Sequence, residues 1–98
     1  MTNRPALEAA LRRLAPNLPS HEFGAVIDHA LDSKGLRQAA PENAVWLSLV
    51  AYARHVFTEY DDLLTQGYDR ESARHFVMDE IAGQLRAWGV RRTLNDED

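Results

Sequence analysis

The sequence has no cysteine. That removes disulfide frameworks, cysteine-ligated zinc and thiol nucleophiles, and it suits a reducing compartment. There is no apolar run of membrane-spanning length, and the opening MTNRPALEAA lacks the apolar centre of a signal peptide. The expectation is a cytoplasmic chain that makes no membrane contact. A Gly-rich phosphate loop is missing, and so is the apolar–polar alternation of a strand. Positive charge is in deficit: eleven Lys and Arg stand against fifteen Asp and Glu, a net −4. The imbalance lies in residues 41–98, with six Arg and eleven acids, whereas residues 1–40 carry five basic and four acidic side chains. An acidic second half disfavours nucleic acid, because phosphate-backbone binding takes a broad basic face. A local basic patch remains open, with Arg4, Arg12 and Arg13 as its foremost members.

What is present is the ordinary balance of a globular domain. Ninety-eight residues, 45% of them hydrophobic and 27% charged, suffice for one modest core. The whole chain, 1–98, reads as a single helical domain. Residues 1–4 and the tail 90–98, with little to bury, are expected to fray.

Punctuation divides the chain into four helices. Pro5 opens the first, with Leu7, Ala10, Leu11 and Leu14 at helical spacing, and Pro16 and Pro19 end it. Ser20 is placed to cap the second, and Glu22 suits the positive end of its dipole. Phe23, Val26, Ile27, Ala30 and Leu31 make its apolar stripe, and Gly35 is expected as a left-handed stop. After a loop at 36–40, Pro41 opens a long third helix that runs to about Gln66, with Gly67 as its stop. Its stripe is Trp46, Leu49, Val50, Ala53, Val56, Phe57, Tyr60, Leu63 and Leu64. Asp69 caps the last helix, Arg70 to Trp88, whose stripe is Ala73, Val77, Met78, Ile81, Leu85 and Trp88. Short links favour antiparallel neighbours. The fold class is therefore all-α, a small four-helix bundle-like domain with a C-terminal antiparallel helical hairpin. Positions equidistant from Gly67–Tyr68 then lie side by side, which sets Trp46 opposite Trp88 and Asp61 opposite Arg74.

Ala-Arg-His occurs twice, at 53–55 and 73–75, each His followed four residues later by an acid, Glu59 or Asp79. At about 100° per residue both imidazoles point away from their own helix's stripe. They are also offset along the hairpin by roughly 7.5 Å. A metal site needs ligands converging at one level, so no metal and no cofactor is expected. The pairs read as solvated i,i+4 contacts. Arg74 is the more informative residue, since it falls within the apolar stripe of the last helix, where a guanidinium must pair or snorkel. The expected partner is Asp61, with Asp62 as the alternative. An anionic ligand near the turn, held by Arg54, Arg70 and Arg74, is the functional alternative.

Arg54-His55, Thr58-x-Tyr60-Asp61, Leu63-Leu64, Gly67, Arg70, Ala73-Arg74 and the closing Trp88 resemble a family of small bacterial and fungal domains of unknown function, family 2293. The resemblance spans about Ala51 to Trp88. It implies no chemistry. It does imply that Arg54, His55, Thr58, Tyr60, Asp61 and Arg74 belong to one structural or partner-binding cluster.

Catalytic signals are sparse. His55 could serve as a general base, oriented by Asp62 or Glu59 with Arg54 holding an anion, but no Ser or Cys nucleophile stands beside it. The expected function is an interaction module without catalysis, binding a protein partner or a second copy of itself. Val45 and Tyr52, on a flank of the long helix, suggest a two-fold dimer there. A nucleic-acid-associated regulator and a small His55 enzyme are the alternatives.

Overall fold

A computed structural model describes residues 3–95 and 98. The helices are α1 Arg4–Leu14, α2 Ser20–Asp32, α3 Pro41–Phe57, α4 Tyr60–Thr65 and α5 Arg70–Ala87, with a 3₁₀ turn at Lys34–Leu36. No strand occurs among the described residues, and the chain is all-α.

The ends of these helices follow local chemistry. Asn3 caps α1 by accepting the Ala6 N–H at 2.9 Å, and Asp69 caps α5 by accepting the Ser72 N–H at 2.7 Å. Gly67 and Gly89 both have positive φ, +103° and +86°. Each is the residue after a helix end where the chain reverses. The Tyr68 N–H reaches back to the Leu63 carbonyl at 3.1 Å and the Val90 N–H to Leu85 at 3.0 Å. Those six-to-one bonds satisfy carbonyls that the helix ends would otherwise leave open. Two expected caps differ. Ser20 is the first residue of α2 rather than its cap, and Pro19 in the capping position offers no side-chain bond. Gly35 is not a left-handed stop, because α2 ends at Asp32 on an extended Ser33 and Gly35 lies inside the 3₁₀ turn.

α3 runs through the middle of the molecule and packs on α1, α2 and α5. Ala44, Val45, Trp46, Ser48, Leu49, Val50, Ala53 and Arg54 are all buried on it. On the flank offered for a second chain, Val45 is 0% exposed and Tyr52 half-buried, on a helix that packs on α1, α2 and α5. Leu7 and Leu11 of α1 and Val26 and Ile27 of α2 complete this half of the core.

The expected continuous helix from Pro41 to Gln66 is broken. α3 stops at Phe57, Thr58 is extended (φ −134°, ψ 172°), and α4 begins at Tyr60. Thr58 is the cause as well as the place. Its hydroxyl donates to the Arg54 carbonyl and accepts the Tyr60 N–H at 3.2 Å, replacing helix bonds with side-chain ones. The apolar phase does not carry across this break. Tyr60 and Leu63 are buried, whereas Val56 is 57% exposed and Phe57 40%.

The break also changes the partners of α5. Trp88 does not face Trp46; its ring packs edge-on against Phe57 at 5.3 Å and tilted against Tyr52 at 6.5 Å. Trp46 meets the tail instead, with the Arg92 guanidinium 4.4 Å from its ring centre and its Nε1–H donated to Asp98 Oδ1 at 3.1 Å. The expectation of frayed ends falls partly on residues 1, 2, 96 and 97, which lie outside the described residues. Among the described residues of these stretches, Arg4 starts α1, Val90 is buried and Leu94 lies against the core, whereas Arg91, Arg92, Thr93 and Asn95 are exposed and outside any helix.

Candidate functional site

The α3–α4 break gathers the cluster residues. Arg54 sits in the last turn of α3. Its side chain lies over the Tyr60 ring at 5.6 Å, and its Nη2–H donates to the Asp98 main-chain oxygen at 2.5 Å. His55 Nδ1 meets Asp61 Oδ1 at 2.7 Å, and its ring stands edge-on to Tyr60 at 5.3 Å. Thr58 ties both halves together through Arg54 and Tyr60.

Arg54 is the one buried charged side chain among the described residues, 8% exposed. Its Nε–H is buried with no hydrogen-bond partner. Burial comes first in lowering its pKa below the ordinary arginine value, and the like charge of Arg74 comes next. Among the described residues no carboxylate forms an ion pair with Arg54 or Arg74. The Asp98 charge acts on Arg54 in the opposite sense but ranks below burial and Arg74, so a buried guanidinium beside a second one is an arrangement that a further anion would relieve.

That arrangement opens into a groove of about 880 Å³. Arg54, Arg70 and Arg74 bring positive charge to its lining, with His75 next to Arg74 in sequence. Phe76, Met78, Ile81 and Leu94 are the apolar side chains of the lining, and Glu71 and Asp98 are its acids. Local sequence explains the layout. The buried row of α5 is Ala73, Val77, Ile81 and Leu85, one residue in four. Arg74 is one position round from that row, so it lines the groove wall.

The expected Arg74–Asp61 bridge is therefore absent, and the Asp62 alternative with it. Arg74 is exposed rather than enclosed in the stripe, and the Asp61 carboxylate is engaged by His55. The expected His55–Glu59 and His75–Asp79 pairs are likewise not among the ion pairs of the described residues. Thr58–Glu59 is no longer helical, so Glu59 loses its i+4 position relative to His55.

His55 lies outside the groove, half exposed, paired with Asp61 rather than Asp62 or Glu59. No group of three or more His, Asp or Glu among the described residues is arranged to hold a metal ion.

Sequence reasoning missed one polar contact altogether. His29 Nδ1 lies 2.8 Å from Ser48 Oγ, and that hydroxyl donates to the Val26 carbonyl at 2.9 Å. A Ser–His pair invites a nucleophilic interpretation. The geometry opposes it: Ser48 is 0% exposed and its proton is committed to Val26. The pair locks α2 onto α3. Nothing in the spacing of residues 29 and 48 announces it.

The N-terminal arginines are committed too. Arg4 pairs with Asp28 at 2.6 Å and Glu8 at 3.5 Å, Arg13 approaches Glu42 at 4.0 Å, and Arg12 lies over the Phe23 ring. No helix among the described residues is long and apolar enough to cross a membrane.

No curated protein and no solved structure matches the chain. A family model, described as "Uncharacterized conserved protein (DUF2293)", matches residues 10–89. It takes in the groove arginines, the α3–α4 break and both positive-φ glycines, and it reaches back into α1, well before the stretch that carries the resemblance. The chain belongs to the DUF2293 family of uncharacterized conserved proteins.

Proposed function

We propose that this protein is a non-catalytic helical interaction module that receives a segment of a protein partner in the groove beside α5. The observation that carries this is the groove itself, about 880 Å³, whose lining combines arginines with apolar side chains. Phe76 is 62% exposed at its margin, where its ring is steadied edge-on against Tyr68 at 5.7 Å. An exposed aromatic beside arginines is the composition of an interface centre rather than of a solvated face. His55 stands outside this groove, which removes the motive for general-base chemistry. The N-terminal arginines are paired, which removes the motive for nucleic acid.

Peptide-display selection against the intact protein tests the proposal. Selected peptides should bind wild type and lose at least tenfold in affinity for Phe76→Ser, whose side chain is surface-exposed. Peptides indifferent to that substitution would refer the binding surface elsewhere and overturn the proposal.

Self-association is a second possibility, favoured by Val56 and Phe57, which α3 leaves outward at its end. The Val45 flank no longer supports it. A mass by light scattering that stays monomeric across a hundredfold range of concentration removes this possibility.

A further inference from the structure

We infer that the groove is built for an anionic segment, an acidic amphipathic peptide of a protein partner whose carboxylate seats between Arg54 and Arg74. The inference rests on the groove being the docking surface and adds the chemistry of its occupant.

Three independent observations converge on that chemistry. The first is the Arg54 Nε–H, buried without a partner on a side chain that is nine-tenths enclosed and lines the groove. A buried donor left unmade costs stability, and a charged one costs more. The second is charge. Arg54, Arg70 and Arg74 all line the groove, and among the described residues none of the three forms a side-chain ion pair. This occurs in a chain of net charge −4, where acids are in surplus and elsewhere take up Arg4 and Arg13. The third is the tail. A main-chain oxygen, that of Asp98, already accepts from Arg54 Nη2 at 2.5 Å, which shows that an acceptor fits at this guanidinium.

The apolar part of the lining decides between classes of anion. Phe76, Met78, Ile81 and Leu94 offer nothing to a phosphate backbone but match the leucine-type face of an amphipathic helix. Glu71 and Asp98 would repel closely spaced phosphates, whereas a peptide can place its carboxylates away from them. Arg is suited to a carboxylate because its fork makes two parallel N–H bonds.

The probe is a capped synthetic helix of about four turns with leucines on one face and glutamates flanking them, titrated calorimetrically into the full chain. Its twin carries glutamine at every glutamate. The acidic peptide should bind at least tenfold more tightly than the twin, and the advantage should shrink as salt is raised. Arg74→Gln, exposed and therefore compatible with folding, should erase most of that advantage. Arg13→Gln, outside the groove, should leave it unchanged. Equal affinity for both peptides, with binding still lost in Phe76→Ser, would overturn the anion inference and leave the groove standing. No binding of either peptide, together with failure of the display selection, would overturn both. A single-stranded RNA oligonucleotide of equal charge that binds more tightly than the acidic peptide, and that Arg74→Gln releases, would also overturn it in favour of a phosphate ligand.

Discussion

Replacing Gly89 by alanine probes how the end of α5 is docked onto the first half of the chain. Gly89 has φ +86°, and a Cβ there would lie 2.9 Å from Pro16 Cγ, 3.0 Å from Pro16 Cδ and 3.2 Å from Asn17 Nδ2. The same linker is tied by the Asn17 N–H to the Trp88 carbonyl at 3.0 Å. Gly67 supplies the control, since its φ is +103° and a Cβ there would meet nothing within 4 Å. For a non-glycine residue the left-handed backbone costs about 1–2 kcal/mol. Stiffening the unfolded chain with alanine offsets about 0.4–1 kcal/mol of that. Gly67→Ala should therefore lose roughly 1 kcal/mol. Gly89→Ala carries the same backbone cost plus an overpacking penalty of about 1–3 kcal/mol against a rigid pyrrolidine. Its total should be roughly 2–4 kcal/mol. Gly67 is the further of the two from the centre of the left-handed region, so the comparison is biased against the expected result. Urea unfolding followed by tryptophan fluorescence reads both, with an unchanged slope confirming that stability alone has moved. A cycle with Pro16→Ala should show coupling of about 1 kcal/mol or more. If Gly89→Ala costs no more than Gly67→Ala, the close approach of the two segments is wrong.

Thr58→Ala removes both the bond to the Arg54 carbonyl and the acceptor for the Tyr60 N–H, and should cost about 1–2 kcal/mol by urea unfolding; no change would mean that the break is set by something other than this hydroxyl. His55→Gln and Asp61→Asn should couple by only about 0.2–1 kcal/mol in a double-mutant cycle, because the pair is half exposed, and the coupling should fade in high salt. Ser48→Ala should cost about 1 kcal/mol and detach His29, visible as a changed ring-proton shift by NMR. The Ser72 backbone N–H holds the Asp69 carboxyl below the usual carboxylate range. A depressed folded-state pKa means stabilisation that is complete above the ordinary aspartate value near about 4 and is lost as pH falls through the lower folded value. Asp69→Ala should thus be less stable than wild type at neutral pH, and the two melting curves should converge in acid; a gap that persists at the lowest pH would refute the cap.

Much of the helical layout is legible in the residues themselves. Pro5, Pro41, Asp69, Gly67 and Gly89 act within one or two turns of where they stand, so they mark helix ends in any all-α arrangement. Thr58 was legible as a cluster member but not as a break, because a threonine in mid-helix commonly bonds back to the preceding turn without ending it. That one omission propagated. With a continuous helix, Val56 and Phe57 belong to the buried stripe, Asp61 faces Arg74, and Trp46 faces Trp88. With the break, Val56 and Phe57 turn outward, Asp61 serves His55, and Trp88 packs on Phe57.

The sequence alone determined the helical class, most helix ends and most of the buried rows of α1, α2 and α5, because periodicity and capping are local properties read out within a few residues. Tertiary structure decided which faces are covered: Val45 is enclosed, and Arg92 and Asp98 meet Trp46. It also decided that Arg54, rather than Arg74, is the enclosed charge. Those outcomes depend on the direction in which the chain leaves Thr58, and a direction in space is fixed only when every packed neighbour is in place.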